Sequence, residues 1–178
     1  FGLQMGGVGA EYVGRPLRGE GVEIKVAGEP FGQLGMSGFM LPTEMFTAGV
    51  ATTFLFQMCF MDTTCTIPTG AAAERWKFTS FVLFSFVIST IIYPVYANWV
   101  WGGGWLSGLG ANFGLGHGHV DFAGSSVVHL TGGVMALVLG KMIGPRVGKY
   151  RPDGSIHPIA PHSITRDERG QATVRAIR

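Results

Sequence analysis

Charge is scarce in this chain. Lys, Arg, Asp and Glu supply 13% of its 178 residues, about half of the roughly 25% usual in soluble domains. They are absent from two long runs, Phe78 to Trp101 and Phe122 to Gly140, each long enough to cross a bilayer as a helix. No block of Lys and Arg forms a basic stripe, so nucleic acid has no surface to bind. Cysteine is nearly absent as well. Cys59 and Cys65 lie in an apolar stretch without metal-ligand spacing, which leaves no metal or cofactor site and reads as two buried structural thiols. The chain opens on Phe1 with no charged n-region, apolar h-region and cleavage site, and it reads as an internal piece of a longer open reading frame. Glycine, by contrast, is abundant at 29 residues, mostly in connections or along one apolar helix. Alongside the uncharged runs, that abundance marks a membrane protein rather than a disordered one.

Three spans are expected, in an all-α, polytopic helix bundle. The first runs from Glu44 to Ala73 with its apolar centre at Ala48 to Met61, interrupted by Gln57, Asp62 and Pro68. The second is Phe78 to Trp101, kinked where Pro94 removes a backbone donor. The third is Asp121 to about Ile143, with Asp121 placed to cap its first turn. Glu74, Arg75 and Lys77 lie in the first connection, whereas Gly102 to Val120 holds no Lys or Arg. Lys141, Arg146, Lys149 and Arg151 follow the third span. By the positive-inside rule, 74–77 and 141–178 are cytoplasmic and the loop 102–120 is outside. Before the first span, Gly6 to Leu41 reads as an exported loop, with Phe1 to Met5 the stub of an earlier span. Domain boundaries follow: 1–42, the span-bearing 43–162, and a polar tail 163–178.

His129 is the residue that packing explains least. It sits eight residues into the second uncharged run, Phe122 to Gly140, and an ionisable ring at that depth points to a pathway. Ser125, His129 and Gly133 recur every four residues and share a face, widened by Gly132 and Ala136 into a small-residue strip for a neighbouring helix. Phe56 and Phe60 stand four apart on the first span, as core, lipid-facing or gating aromatics. Asp62 needs a partner at its depth, and structural pairing or a backbone hydrogen bond is expected. Trp101 closes the second span as a belt anchor or as a cation–π platform. His117 and His119 read as solvated loop histidines, and Glu74-Arg75 as the tie of the cytoplasmic turn. An enzyme is not expected. Ser126 and His129 lie three apart on one helix rather than on facing elements, with no signal for an oxyanion hole. A haem module would need two facing histidines within the spans.

Several segments together resemble the Amt branch of the ammonium transporter family. Phe-Leu-Phe-Gln-Met-Cys-Phe at 54–60 with Ile67-Pro-Thr-Gly-Ala-Ala-Ala-Glu-Arg-Trp-Lys-Phe78 is similar to the family's third span, and Asn98-Trp-Val-Trp-Gly-Gly-Gly104 to the outer end of its fourth. Asp121-Phe-Ala-Gly-Ser-Ser-Val-Val-His129 resembles the start of its fifth, and Gly144-Pro-Arg-Val-Gly-Lys149 the exit from it. The resemblance covers roughly Phe46 to His162; Ser163 to Arg178 departs from it, and Asp62 stands where many members have small apolar residues. It implies spans 3 to 5 of an eleven-span fold that assembles as a homotrimer in the cell (inner) membrane, with one pore per subunit. It also implies ammonium or ammonia as substrate and a cytoplasmic signalling protein as regulator. Carried over by position, Trp101 matches the outer cation-recruitment tryptophan, with Asp121 shaping that site from behind. Phe60 matches the inner gating phenylalanine beside Phe56, and His129 the first of two pore histidines. A sensor that keeps the recruitment site and loses conduction shares all these residues; a signalling domain encoded downstream would mark it.

Overall fold

The computed structural model of the chain describes residues 21–35, 48–158, 164–166 and 172–174. The expected stub at 1–5, the start of the first span at Glu44 and the residues around His162 lie outside them. The chain divides into two compact units, Phe1–Ile143 and Gly144–Arg178.

The first unit is mostly helical, with one correction to the all-α expectation. Within the expected exported loop, β1 (Gly21–Val26) and β2 (Glu29–Gly35) pair antiparallel as a hairpin. Ala27 and Gly28 both take positive φ, 52° and 88°, the sense of turn that matches the twist of the flanking strands.

Helix α1 (Ala48–Thr66) ends before Pro68, and α2 (Thr69–Ala72) adds one turn. The expected first span is therefore broken near its C-terminal end, where Pro68 supplies no amide hydrogen. The turn that follows is tied by the Arg75 guanidinium, which donates to the Ala71 carbonyl. The second span is built from α3 (Phe78–Val87), a π-helical turn (Ile88–Ile92) and α4 (Tyr93–Val100). Pro94 accounts for the widened turn. It has no N–H to give, and its ring crowds the carbonyl of Thr90, so the chain opens by one residue just before it. Trp101 and Gly102 close the helix on the Ala97 carbonyl. The chain then doubles back at Gly104, whose Cβ would lie 2.6 Å from the Trp99 Cα.

A second correction follows. The supposed outer loop 102–120 contains a helix, α5 (Trp105–Phe113), closed by Gly114 at φ 66°. The hairpin packs on α4 and α5. The Trp99 indole donates to the Gln33 carbonyl at 2.9 Å, and Phe31 stacks on Trp105 at 5.6 Å and meets Phe113 edge-on at 5.3 Å. The last helix begins with a π-helical turn (Ser125–Leu130) and continues as α6 (Thr131–Ile143).

Among the described residues two stretches are long and apolar enough to cross a membrane, Phe78–Phe113 (36 residues) and Ser125–Ile143 (19 residues). Helix α1, the expected first span, falls short of that composition because Gln57, Asp62 and its threonines dilute it. The buried core joins all three: Cys65 from α1, Ile88, Tyr93, Ala97 and Val100 from the second helix, and Val127 and Val128 from the third. Within it the Tyr93 hydroxyl donates to Gln57 Oε1 at 2.8 Å, so the polar group of α1 is satisfied inside the protein. Cys65 is buried as expected. Cys59 is not, since it lies on an exposed face of α1. Asp62 is exposed too, in place of the expected structural pairing.

Gly132 is where α6 meets the end of α1. A Cβ there would fall 2.7 Å from Ile67 Cβ. Gly132→Leu should destabilise the protein by about 1–3 kcal/mol or more through overpacking, read as a lowered thermal midpoint in detergent. An unchanged midpoint would mean that α6 does not approach Ile67 this closely.

In the second unit, β3 (Ile164–Arg166) pairs antiparallel with β4 (Ala172–Val174). A tight turn brings the Arg151 N–H to the Ser155 carbonyl and the His157 N–H to the Lys149 carbonyl, both at 2.9 Å. The Ser155 hydroxyl and N–H donate to Asp153 and hold its carboxyl below the usual range.

Candidate functional site

Asp121 organises the site. Its carboxylate accepts from the N–H groups of Gly124 (2.7 Å), Ser125 (3.0 Å), Ser126 (2.9 Å) and Val127 (2.8 Å). The Ser126 hydroxyl donates to it at 2.7 Å and that of Ser125 at 3.3 Å. The first amides of a helix have no partner within the helix, so one buried carboxylate replaces the missing carbonyls. The expected cap is present and is more extensive than a single bond. On its other side, the Asp121 main-chain carbonyl accepts the Trp101 indole N–H at 2.7 Å. That bond fixes the plane of a half-buried indole at the end of the second helix.

Trp101 in turn meets Phe60 edge-on, with centroids 5.6 Å apart and planes at 85°. Phe56 lies against Phe60 at 4.5 Å. Helical spacing on α1 brings the two phenylalanines together, whereas Trp101 reaches them only through the fold. Phe56 is 56% exposed, on the side of the unit that no described element covers.

Gly124 joins this aromatic group to His129. It has φ 86°, a conformation that glycine adopts without strain. A Cβ there would come within 3.1 Å of two Phe60 ring carbons. The Gly124 carbonyl accepts the amides of Val128 (3.0 Å) and His129 (2.9 Å), the second of which makes the turn π-helical. The same carbonyl lies 3.2 Å from His129 Nδ1. A carbonyl only accepts, so this contact places the ring hydrogen on Nδ1 and leaves Nε2 as the acceptor nitrogen. The imidazole is exposed, on the same open side as Ser125 and Gly133. The small-residue strip is therefore divided: Gly132 packs on Ile67, and the His129 face is open.

One histidine needs correction. His117 is exposed as expected, but His119 is half-buried. Its N–H donates to the Leu106 carbonyl at 3.0 Å, and its Nε2 lies 2.8 Å from the Ser126 hydroxyl. Gly124 and Ser126 are the other residues whose part in the site was not read from the sequence, where Ser126 was weighed only as half of a serine–histidine pair. Their signal was the segment Asp121 to His129 itself, whose only glycine and second serine sit where the cap must turn and close.

The five residues singled out from sequence thus form one connected group, Phe56–Phe60–Trp101–Asp121 with His129 reached through Gly124. A model of the Ammonium Transporter Family matches residues 19–167 of the chain. The chain belongs to the ammonium transporter family.

Among its relatives, Archaeoglobus fulgidus ammonium transporter Amt2 is 42% identical over 135 residues, covering 75% of this chain and 29% of that protein. Haloferax mediterranei ammonium transporter Amt1 is 46% identical over 112 residues, 62% of this chain and 22% of the relative. Ammonium transporter 1 member 3 of Solanum lycopersicum is 40% identical over 113 residues, 63% of this chain and 25% of the relative. The chain therefore spans less than a third of the length of these relatives. No solved structure matches it significantly. Family membership and the apolar helices make this a membrane protein, most of whose described residues are helical.

Proposed function

We propose that this chain forms the outer recruitment site and the first half of the pore in a transporter of ammonium. The observation that carries the reading is the continuous contact from Trp101 through Phe60 and Gly124 to the His129 ring. The expected eleven-span trimer in the cell membrane supplies the rest: a second pore histidine, a lipid-facing shell and a cytoplasmic signalling partner. In that frame 102–120 lies outside, 74–77 and 141–178 lie inside, and the span-bearing domain is 43–162 between the outer segment 1–42 and the tail 163–178. The open side that carries Phe56 and His129 is the side those further spans would cover.

Recruitment is electrostatic. The indole face of Trp101 attracts a small cation, with about 1–2 kcal/mol when partly desolvated. Asp121 lies off the N–H edge of the indole, and its carboxylate, spent on helix amides, adds negative potential without touching the cation. Beyond Phe60 the path is apolar, and a bare charge costs far more to move there than a neutral molecule. Ammonium therefore gives its proton to water at the outer mouth, and ammonia passes His129, whose Nε2 lone pair accepts its N–H. The ring is a hydrogen-bonding and proton-handling group rather than a catalyst.

The test uses Archaeoglobus fulgidus Amt2 with its matching segment replaced by residues of this chain. Radiolabelled methylammonium uptake should be retained, and Trp101→Leu should raise its KM about tenfold, the equivalent of roughly 1.4 kcal/mol of lost cation–π attraction. Loss of uptake in the unsubstituted chimera, or an unmoved KM, would contradict the reading.

A further inference from the structure

His119 has no part in the account above, yet it is tied directly to the group behind the recruitment site. The Ser126 hydroxyl has one hydrogen, and it is given to Asp121 Oδ2 at 2.7 Å. At its 2.8 Å contact with His119 the hydroxyl is therefore the acceptor, and Nε2 of His119 is the donor. The geometry fixes the neutral ring with its hydrogen on Nε2, and it survives protonation, because the imidazolium keeps that same N–H. Backbone bonding holds the ring in register, since the His119 amide is anchored on Leu106 at the start of α5.

We propose that His119 is a positioning residue for the outer cation site, setting its affinity as a function of pH through Ser126 and Asp121. This rests on the transport reading. The ionisable groups around it are few. Helix α5, which receives its amide, has none. The helix that brings Ser126 also brings His129 three residues later, and its own segment brings Asp121 and the exposed His117.

When His119 is neutral, the full negative charge of Asp121 lies beside Trp101. When it is protonated, a positive charge one hydroxyl away from that carboxylate offsets it. Cation binding and protonation of His119 then oppose each other, and by linkage each weakens the other to the same extent. Ammonium itself stays protonated across the range in which an imidazole titrates, so the effect falls on the site and not on the substrate.

The experiment measures methylammonium KM in the chimeric transporter at about pH 7.5 and about pH 5.5. The parent should show KM rising about fivefold in acid, the low end of measured coupling between sites. In His119→Gln the amide nitrogen donates to Ser126 in the same place and never carries charge, so the rise should shrink below about twofold. Ser126→Ala removes the acceptor that holds the His119 ring beside Asp121, so the rise should shrink as the ring moves away. His117→Gln should leave it intact. An equal acid rise in parent and His119→Gln would overturn the proposal, as would a rise abolished by His117→Gln. A parent that takes up no methylammonium at any pH would instead overturn the transport reading on which it rests.

Discussion

Asp121→Ala should abolish methylammonium uptake and lower the thermal midpoint of the transporter that carries this segment. The carboxylate receives four backbone N–H groups and two hydroxyls, and its residue is 8% exposed. Each buried donor left without a partner costs about 1–3 kcal/mol. Water entering the vacated space would satisfy some of them, so the losses will not add in full. The loss also reaches function by a second route. The Trp101 indole is anchored on the Asp121 carbonyl, and loss of the cap frees that peptide to shift. Asp121→Asn separates the two routes. Its single carbonyl oxygen can serve only some of these donors, and its amide hydrogens face other hydrogens, so it should be intermediate in stability. It also removes the negative charge beside the indole, so its KM should rise even where the fold is kept. Wild-type uptake and midpoint in Asp121→Ala would show that the cap is not what shapes this site.

Much of the site is legible in the sequence because its parts are close along the chain. Asp121 lies ahead of the amides it caps, and Phe56 and Phe60 share a helix face by period alone. Contacts made by the fold are less legible. That Trp101 would touch Phe60 follows from packing of the first two helices on a core of Cys65, Ile88, Tyr93 and Val127, which no local pattern encodes. Helix α5 was hidden by its glycines, poor helix formers that signal a loop. Gly110 is there because the returning chain passes too close for a side chain: a Cβ on it would lie 2.5 Å from the Gly116 carbonyl oxygen. The same return carries His119 to Ser126, which turns an apparent loop histidine into a bonded one. The hairpin left a weak trace. Val22, Ile24 and Val26 alternate with Glu23 and Lys25, the period of a strand, but its Ala-Gly turn lacks the stronger Asn-Gly or Asp-Gly signal.

The central claim is that a protonated amine must give up its charge to pass His129. Potassium tests it, being a similar cation with no proton to lose. In the chimeric transporter, His129→Asp places a fixed negative charge where a neutral ring with an Nε2 lone pair had stood. A bare cation is then stabilised at that point, and deprotonation is no longer required for passage. The measurement is ammonium and potassium flux in the same proteoliposomes, before and after the substitution. Flux restricted to ammonium in the parent, with potassium flux appearing in His129→Asp, is the predicted result. An ammonium-to-potassium ratio that does not change would remove His129 from the mechanism and contradict the claim.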